Sequence, residues 1–301
     1  MSNNVISSDF DNLFPYNLMK RHTIDGDEFV FVPELYLRIG YLGGSADRCL
    51  TDVAVAPLEM EAGENQVVVH VDAFYYGAYG ASVSDGKMYS KSNVARKGNV
   101  TCGNFRTYAK ARGSKYRQLD LYHMRVLDFL WLIEFATKDS DAVMLGYKSS
   151  LGTCGATDNL TAPSGQLSNG GRMRWRYIED FIGNGYEFFD GVYGLGATQD
   201  ESKYGQVVTD VEYQQYSTNK YCLPGLKIHP TYPLLAAPVT YVENDRRYNT
   251  YFCDGILCKS GNYVYYRGRS SPYSDEGLFS WYCLSATSTT SDMGSRLLLT
   301  L

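Results

Sequence analysis

The sequence predicts an α+β fold of short strands, one or two helices and long ordered loops. Three observations predict it. One run, Leu121 to Phe135, is helix-length and apolar almost all round. Brief strand-like runs recur before and after it. From Gly146 onward the chain is rich in Gly, Ser, Thr, Asn, Asp and Tyr, the composition of extended loops.

Residues 1–27 are polar and mixed, and read as an N-terminal arm or attachment segment ahead of a single domain over 28–301. Phe29–Val32 and Leu35–Ile39 are strand-like runs either side of Pro33, and Gln66–Val71 is the next. Gly77, Gly80 and Gly86 punctuate the stretch that follows. Asp120 suits the N-cap of the apolar helix. A helix that apolar is buried on most sides, so its charges, Arg125, Asp128 and Glu134, must be paired or sit at its rim. Beyond it the compact apolar pieces are short: Trp175–Phe189, Leu234–Val242, Tyr263–Tyr266, Leu278–Leu284 and Leu297–Leu301.

Bulk properties exclude several functions. A 301-residue chain with 44% apolar and 20% charged residues can bury a core without metals or disulfides. A net charge of -5 argues against non-specific nucleic-acid binding, which needs a basic face. No run of about 18 apolar residues exists to span a membrane. The N-terminal stretch MSNNVISSDFDNLF lacks a basic segment followed by an apolar one, so no secretory signal is expected. The 7 cysteines are scattered without a CxxC pair, which suggests a reducing compartment. The 4 histidines, His22, His70, His123 and His229, lie beside no Ser or Cys in a nucleophile motif, and no metal-ligand cluster is visible. Catalytic residues, metal ligands and cofactors are therefore not expected; calcium, held by Asp and Asn side chains and loop carbonyls, is the one ion such loops would take.

Several segments carry a family resemblance. Asp180-Phe181-Ile182-Gly183-Asn184-Gly185-Tyr186-Glu187-Phe188 resembles a D-x-x-G-N-V-x-E-W block. Phe105 to Gly113, followed by Ile133-Glu134-Phe135-Ala136 and Ser140, resembles an R-x-x-A…G and L-x-x-x-E-F-A-x-x-x-S pattern. Tyr251-Phe252-Cys253-Asp254, Arg267-Gly268-Arg269-Ser270, Glu276-Gly277-Leu278-Phe279 and Gly294-Ser295-Arg296-Leu297 resemble Y-x-C-D, G-G-x-W, A-G-x-F and G-x-R-L. Departures fall at Arg267 and Arg269, at Ser271 or Pro272 where Trp is common, and at Ser295. In this order the segments resemble the formylglycine-generating-enzyme type of C-type-lectin-like fold. They are most similar to its phage-borne members and to the variable proteins of diversity-generating retroelements.

The resemblance implies a non-enzymatic, diversifiable ligand-binding surface in the C-terminal part, about residues 241–301. It further implies a tail-fibre tip adhesin assembled in the bacterial cytoplasm into a virion. Its partners would be a host cell-surface protein or glycan, other tail proteins through the arm, and two further copies in a homotrimer. A formylglycine-generating-type oxidase and a purely structural tail or baseplate protein are the rival readings. The chemistry of the region suits binding. The chain has 27 Tyr against 13 Phe and 3 Trp, and Tyr among short polar residues is the composition of a paratope. The expected ligand contacts are Tyr248, Asn249, Tyr251, Tyr263, Tyr265, Tyr266, Arg269, Ser271, Tyr273, Ser274, Asp275, Trp281 and Tyr282. In Leu278–Leu284, alternation puts Phe279, Trp281 and Cys283 on one face. Packing needs favour that set inside, with Trp281 facing outward as the alternative. About half of the tyrosines are expected to be ordinary sheet packing. Trp175, Arg176, Glu179 and Glu187 are expected to form a buried polar network that holds the irregular loops, and Asn184 to satisfy loop backbone groups.

Overall fold

The structure, a computed structural model, describes residues 8–41, 49–56, 66–137, most of 140–194, 262–269 and 277–301, with short strands between 207 and 243. Among the described residues it is α+β: two α-helices, and strands in several sheets. The first sheet has five strands, in the order Arg21–Ile24, Asp27–Val32, Phe74–Gly80, Arg296–Thr300, Tyr116–Gln118. The second is built on the long strand Gly185–Gly194. That strand pairs antiparallel with Tyr263–Arg269, which pairs with Tyr282–Ser285, and parallel with Val207–Thr209 and Met293–Gly294. A third, three-stranded sheet sets Leu35–Tyr41 between Cys49–Ala54 and Gln66–Val71.

Helix α1 (Cys102–Lys110) and helix α2 (Leu121–Phe135) each organise a hydrophobic cluster. The α2 cluster includes Val30, Val32, Tyr76, Leu127, Trp131, Phe189, Tyr265 and Leu298. The α1 cluster includes Phe29, Phe105, Phe188, Val264, Leu297 and Leu299. Neighbouring residues on one strand point to opposite faces. Phe188 and Phe189, or Leu297 and Leu298, thus fall into different clusters, and both five-stranded sheets are covered on both sides.

Helix α2 starts where the sequence predicts. The Asp120 side chain accepts from the His123 amide at 3.0 Å and so satisfies one of the donors left open in the first turn. Ala136 stops the helix in a left-handed conformation (φ 50°), its amide donating to Leu132 O. The buried charges of α2 are paired, as its apolar surround requires. Asp128 accepts from Arg125 at 2.8 Å and from Arg267 at 2.6 Å. Glu134 accepts from Arg176 at 2.6 Å and from Trp175 Nε1 at 2.8 Å. Helix α1 is shorter and more polar, and buries only Cys102, Phe105 and Ala109, the i, i+3, i+7 stripe of an amphipathic turn.

The boundary expected at residue 27 has no counterpart. Arg21–Ile24 is an edge strand of the first sheet, paired to Asp27–Val32 through Arg21↔Val30 and Ile24↔Asp27. Tyr16 and Met19 are buried in the α2 cluster, and the Tyr16 hydroxyl donates to Leu130 O at 2.7 Å. Asp11 accepts from Arg176 at 2.6 Å. The segment from Phe10 is therefore part of the domain core; a polar average concealed a few well-placed apolar anchors.

Candidate functional site

The four residues expected to form one buried polar network, Trp175, Arg176, Glu179 and Glu187, are buried and paired in two groups: Trp175 and Arg176 meet at Glu134, and Glu179 and Glu187 belong to a larger cluster of ion pairs. Glu187 accepts from Arg296 at 2.8 Å and from Arg96 at 3.0 Å. Arg172 contacts Glu179 at 2.6 Å and Asp180 at 2.7 Å. Glu179 also accepts from the Gly155 and Thr157 amides at 2.9 and 2.8 Å. Asn184 donates to Asp180 at 2.8 Å and to Gly171 O at 3.2 Å, which satisfies a loop carbonyl as expected. Asp180, Gly183 and Asn184 all have positive φ (51°, 82°, 55°). A Cβ on Gly183 would overlap the carbonyl of Gly146, so glycine is required there. The spacing of Asp180, Gly183, Asn184 and Glu187 is thus the framework of a buried ionic knot.

Burial alone would raise the Glu187 carboxyl, but Arg296 and Arg96 outweigh it and hold the pKa below its usual value. Asp180 behaves oppositely: burial, with Glu179 beside it, overcomes the pull of Arg172 and raises its pKa to about 6. An acid whose folded pKa exceeds its unfolded value of 3.8 binds protons more tightly when folded. Asp180 therefore lowers stability as pH rises from about 4 to about 6. Asp180→Asn is expected to flatten that part of the stability–pH curve, which urea denaturation across pH 4 to 7 would measure.

The second sheet carries the described part of the expected ligand surface. Across it the registers Phe188↔Tyr266 and Tyr266↔Tyr282 line up side chains on the face toward α1. The Tyr266 ring meets Tyr186 edge-on at 5.0 Å and stacks on Tyr282 at 5.9 Å. Tyr186 and Tyr266 are half-buried, and Tyr282 is 6% exposed. The result is a tyrosine row on three rigid neighbouring strands, whose inner margin is the buried Phe188. Tyr186 was not among the expected contacts. Its signal was the i, i+2 spacing to Phe188 inside the Gly185–Gly194 strand, but strand pairing across the sheet is not written in that spacing.

Two expected contacts are corrected. Tyr265 and Trp281 are fully buried, on the opposite face, beneath α2. Trp281 packs on Phe189 and Tyr265 at 6.1 and 6.5 Å, under the Arg125 guanidinium at 4.8 Å. Phe279 and Cys283 are buried with it, so packing decides that face. Tyr263 is half-buried against the same α2 cluster. Arg269 closes its strand opposite Gly185. Tyr248, Asn249, Tyr251, Ser271, Tyr273, Ser274 and Asp275 lie outside the described residues, so the structure brings together only the sheet-borne part of the set. Arg267, noted in sequence only as a departure from a double glycine, is a core residue paired to Asp128. Gly268 keeps the glycine role: its φ is 112°, and a Cβ there would overlap the Gly185 carbonyl.

Burial, then the nearby Asp190, raises the Cys102 thiol to about 12, and burial raises Cys154 to about 11. Neither forms a thiolate readily at neutral pH. Among the described residues no three His, Cys, Asp or Glu side chains converge as a metal site, and no helix is long and apolar enough to cross a membrane.

No family model matches the chain, and no curated protein sequence does. Among solved structures it is similar to PvdO from Pseudomonas aeruginosa, with 13% identity over 94% of this chain and 98% of that one, at a TM-score of 0.40. It is also similar to Treponema denticola variable protein 1, with 11% identity over 94% of this chain and 99% of that one, at a TM-score of 0.37. Likenesses this distant define neither a family nor an activity for the chain.

Proposed function

We propose that the chain is a non-enzymatic ligand-binding protein with a C-type-lectin-like fold. In this reading it presents the tyrosine row of its second sheet, together with the stretches 241–261 and 270–276, which carry Tyr241, Tyr248, Tyr251 and Tyr273, to a host cell-surface protein or glycan. The observation that carries the reading is the placement of Tyr186 and Tyr266. Two large amphipathic rings stay half-buried, in mutual contact, on paired strands whose other face is locked under α2. Rigid aromatic groups of this kind contribute contact area at low entropic cost and make strong anchors. The motifs named above extend the reading to a tail-fibre tip adhesin, diversified by a retroelement and borne as a homotrimer on a virion. Three copies would multiply a modest single-site affinity.

The test is adsorption to host cells by Tyr186→Ala, Tyr266→Ala and, from the adjoining stretch, Tyr273→Ala. An anchor worth about 2 kcal/mol corresponds to roughly a thirtyfold loss of affinity. We expect losses of that order with the thermal midpoint nearly unchanged for Tyr273→Ala. Undiminished adsorption by all three folded variants would remove the tyrosine surface from the binding site.

A further inference from the structure

Among the described residues one buried arginine touches no carboxylate directly. Arg96, Arg125, Arg172, Arg176, Arg267 and Arg296 are buried and each touches a carboxylate. Arg174 is also buried, 3% exposed, yet its contacts are carbonyls: Thr157 O at 2.9 Å, Leu160 O at 2.5 Å, and Ala162 O. Carbonyl dipoles satisfy its N–H groups but bring no opposite charge, and its Nε is buried with no hydrogen-bond partner. Two more cations gather beside it around the half-buried ring of Tyr177. The Arg174 guanidinium lies 5.4 Å from the ring centre, the exposed Lys20 ammonium lies 5.8 Å from it, and Arg21 donates to Tyr177 O at 3.5 Å. The acid here is Asp158, which accepts from Arg21 at 2.9 Å and also from Tyr79 and Ser92. Three cations thus gather near one carboxylate, which pairs directly with Arg21 alone among them. Burial and the neighbouring Arg21 both lower the Arg174 pKa from its ordinary value, as expected where positive charge is in excess. Arg21 and Asp158 keep 24% and 29% of their side-chain surface open, so the cluster reaches solvent.

We propose that Lys20, Arg21 and Arg174, grouped at Tyr177, form a second binding site, which takes a ligand bearing an oxyanion such as a sugar carboxylate or a sulfate ester. The Lys20 ammonium and the part-open Arg21 guanidinium supply charge-assisted donors for the oxyanion, the buried Arg174 adds positive charge behind them, and the Tyr177 ring supplies an apolar wall for the ligand body. The site lies on the strand Met173–Trp175 and the segment before Arg21–Ile24, apart from the tyrosine row.

The experiment titrates the full chain with glucuronate, inorganic sulfate and glucose by calorimetry at fixed ionic strength. Saturable one-to-one binding of glucuronate alone identifies a sugar carboxylate, of sulfate alone a sulfate or phosphate ester, and of both a site that reads charge; glucose should not bind. Lys20→Gln, at an exposed position, should raise the dissociation constant about threefold or more, and Arg174→Gln should abolish binding. Tyr266→Ala should leave it unchanged, which separates this site from the tyrosine surface. Absence of saturable binding of either anion overturns the proposal. So does an affinity that Lys20→Gln leaves intact, whatever the folding of Arg174→Gln.

Discussion

Replacing Arg296 by methionine is expected to remove about 3–5 kcal/mol of folding stability, the loss that follows when one member of a buried ion network is stranded. Arg296 is fully buried. It donates to Glu187 at 2.8 Å, to Gly77 O at 3.0 Å and to Glu179 O at 2.9 Å. One side chain therefore ties together the C-terminal strand, the central strand of the first sheet, the short strand Ile178–Glu179 and the second sheet. Methionine fills much of the volume but leaves those acceptors without donors in a site closed to water. Removing Glu187 as well does not restore balance, because Arg96 then loses its partner at 3.0 Å. A fall in the urea midpoint with an unchanged slope would confirm the loss. A loss below 1 kcal/mol would show that the network holds orientation without contributing to stability.

Trp131→Ala is expected to cost a similar amount, about 3–5 kcal/mol, for a different reason. Trp131 is fully buried at the centre of α2 and packs on Phe135, Trp175 and Phe181 at 4.4, 5.5 and 6.0 Å. These neighbours come from the helix itself and from the irregular segment that holds Arg172, Asp180 and Asn184, whose backbone is fixed by ion pairs and cannot collapse into the space. The cavity therefore persists. A drop of the thermal midpoint by about 10 °C is the corresponding calorimetric result. Trp131→Phe, which keeps most of the ring contact, should lose distinctly less.

Much of this architecture was legible in the residues, and the exceptions share physical causes. Helix α2 was readable to its cap because apolar continuity, an Asp at the N-cap and charges needing partners all agree over one local stretch. The strand Gln66–Val71 was readable for the same reason: its signal is local. Arg176, Glu179 and Glu187 were readable as buried and paired because charges amid apolar residues need partners, although Glu134, the partner of Arg176, and Arg96 and Arg296, the partners of Glu187, come from remote positions. Helix α1 was missed because three buried residues in nine give a weak stripe. Tyr16 and Met19 were missed because two anchors cannot outweigh a polar average. The misplacement of Tyr265 and Trp281 is more instructive. Alternation sorts a strand into two faces but names the inner one only when the other face meets water. Here one face of the second sheet lies beneath α2 and the other is partly covered by the α1 cluster, so period two alone could not distinguish a core tyrosine from a half-buried one. Tyr186 and Tyr266 emerge only when registers across three strands are known.

The strand Arg296–Thr300 sits inside the first sheet, between Phe74–Gly80 and Tyr116–Gln118. During synthesis its neighbours leave the ribosome long before it does. Until Arg296 to Thr300 emerge, the sheet has a gap in its middle, and the Glu187 carboxylate waits for its guanidinium. Pairing over such sequence distances closes late and slowly. A premature stop or frameshift ahead of Arg296 would therefore remove a strand from inside the first sheet, and a chain that carries the strand in place has been translated in frame through everything before it.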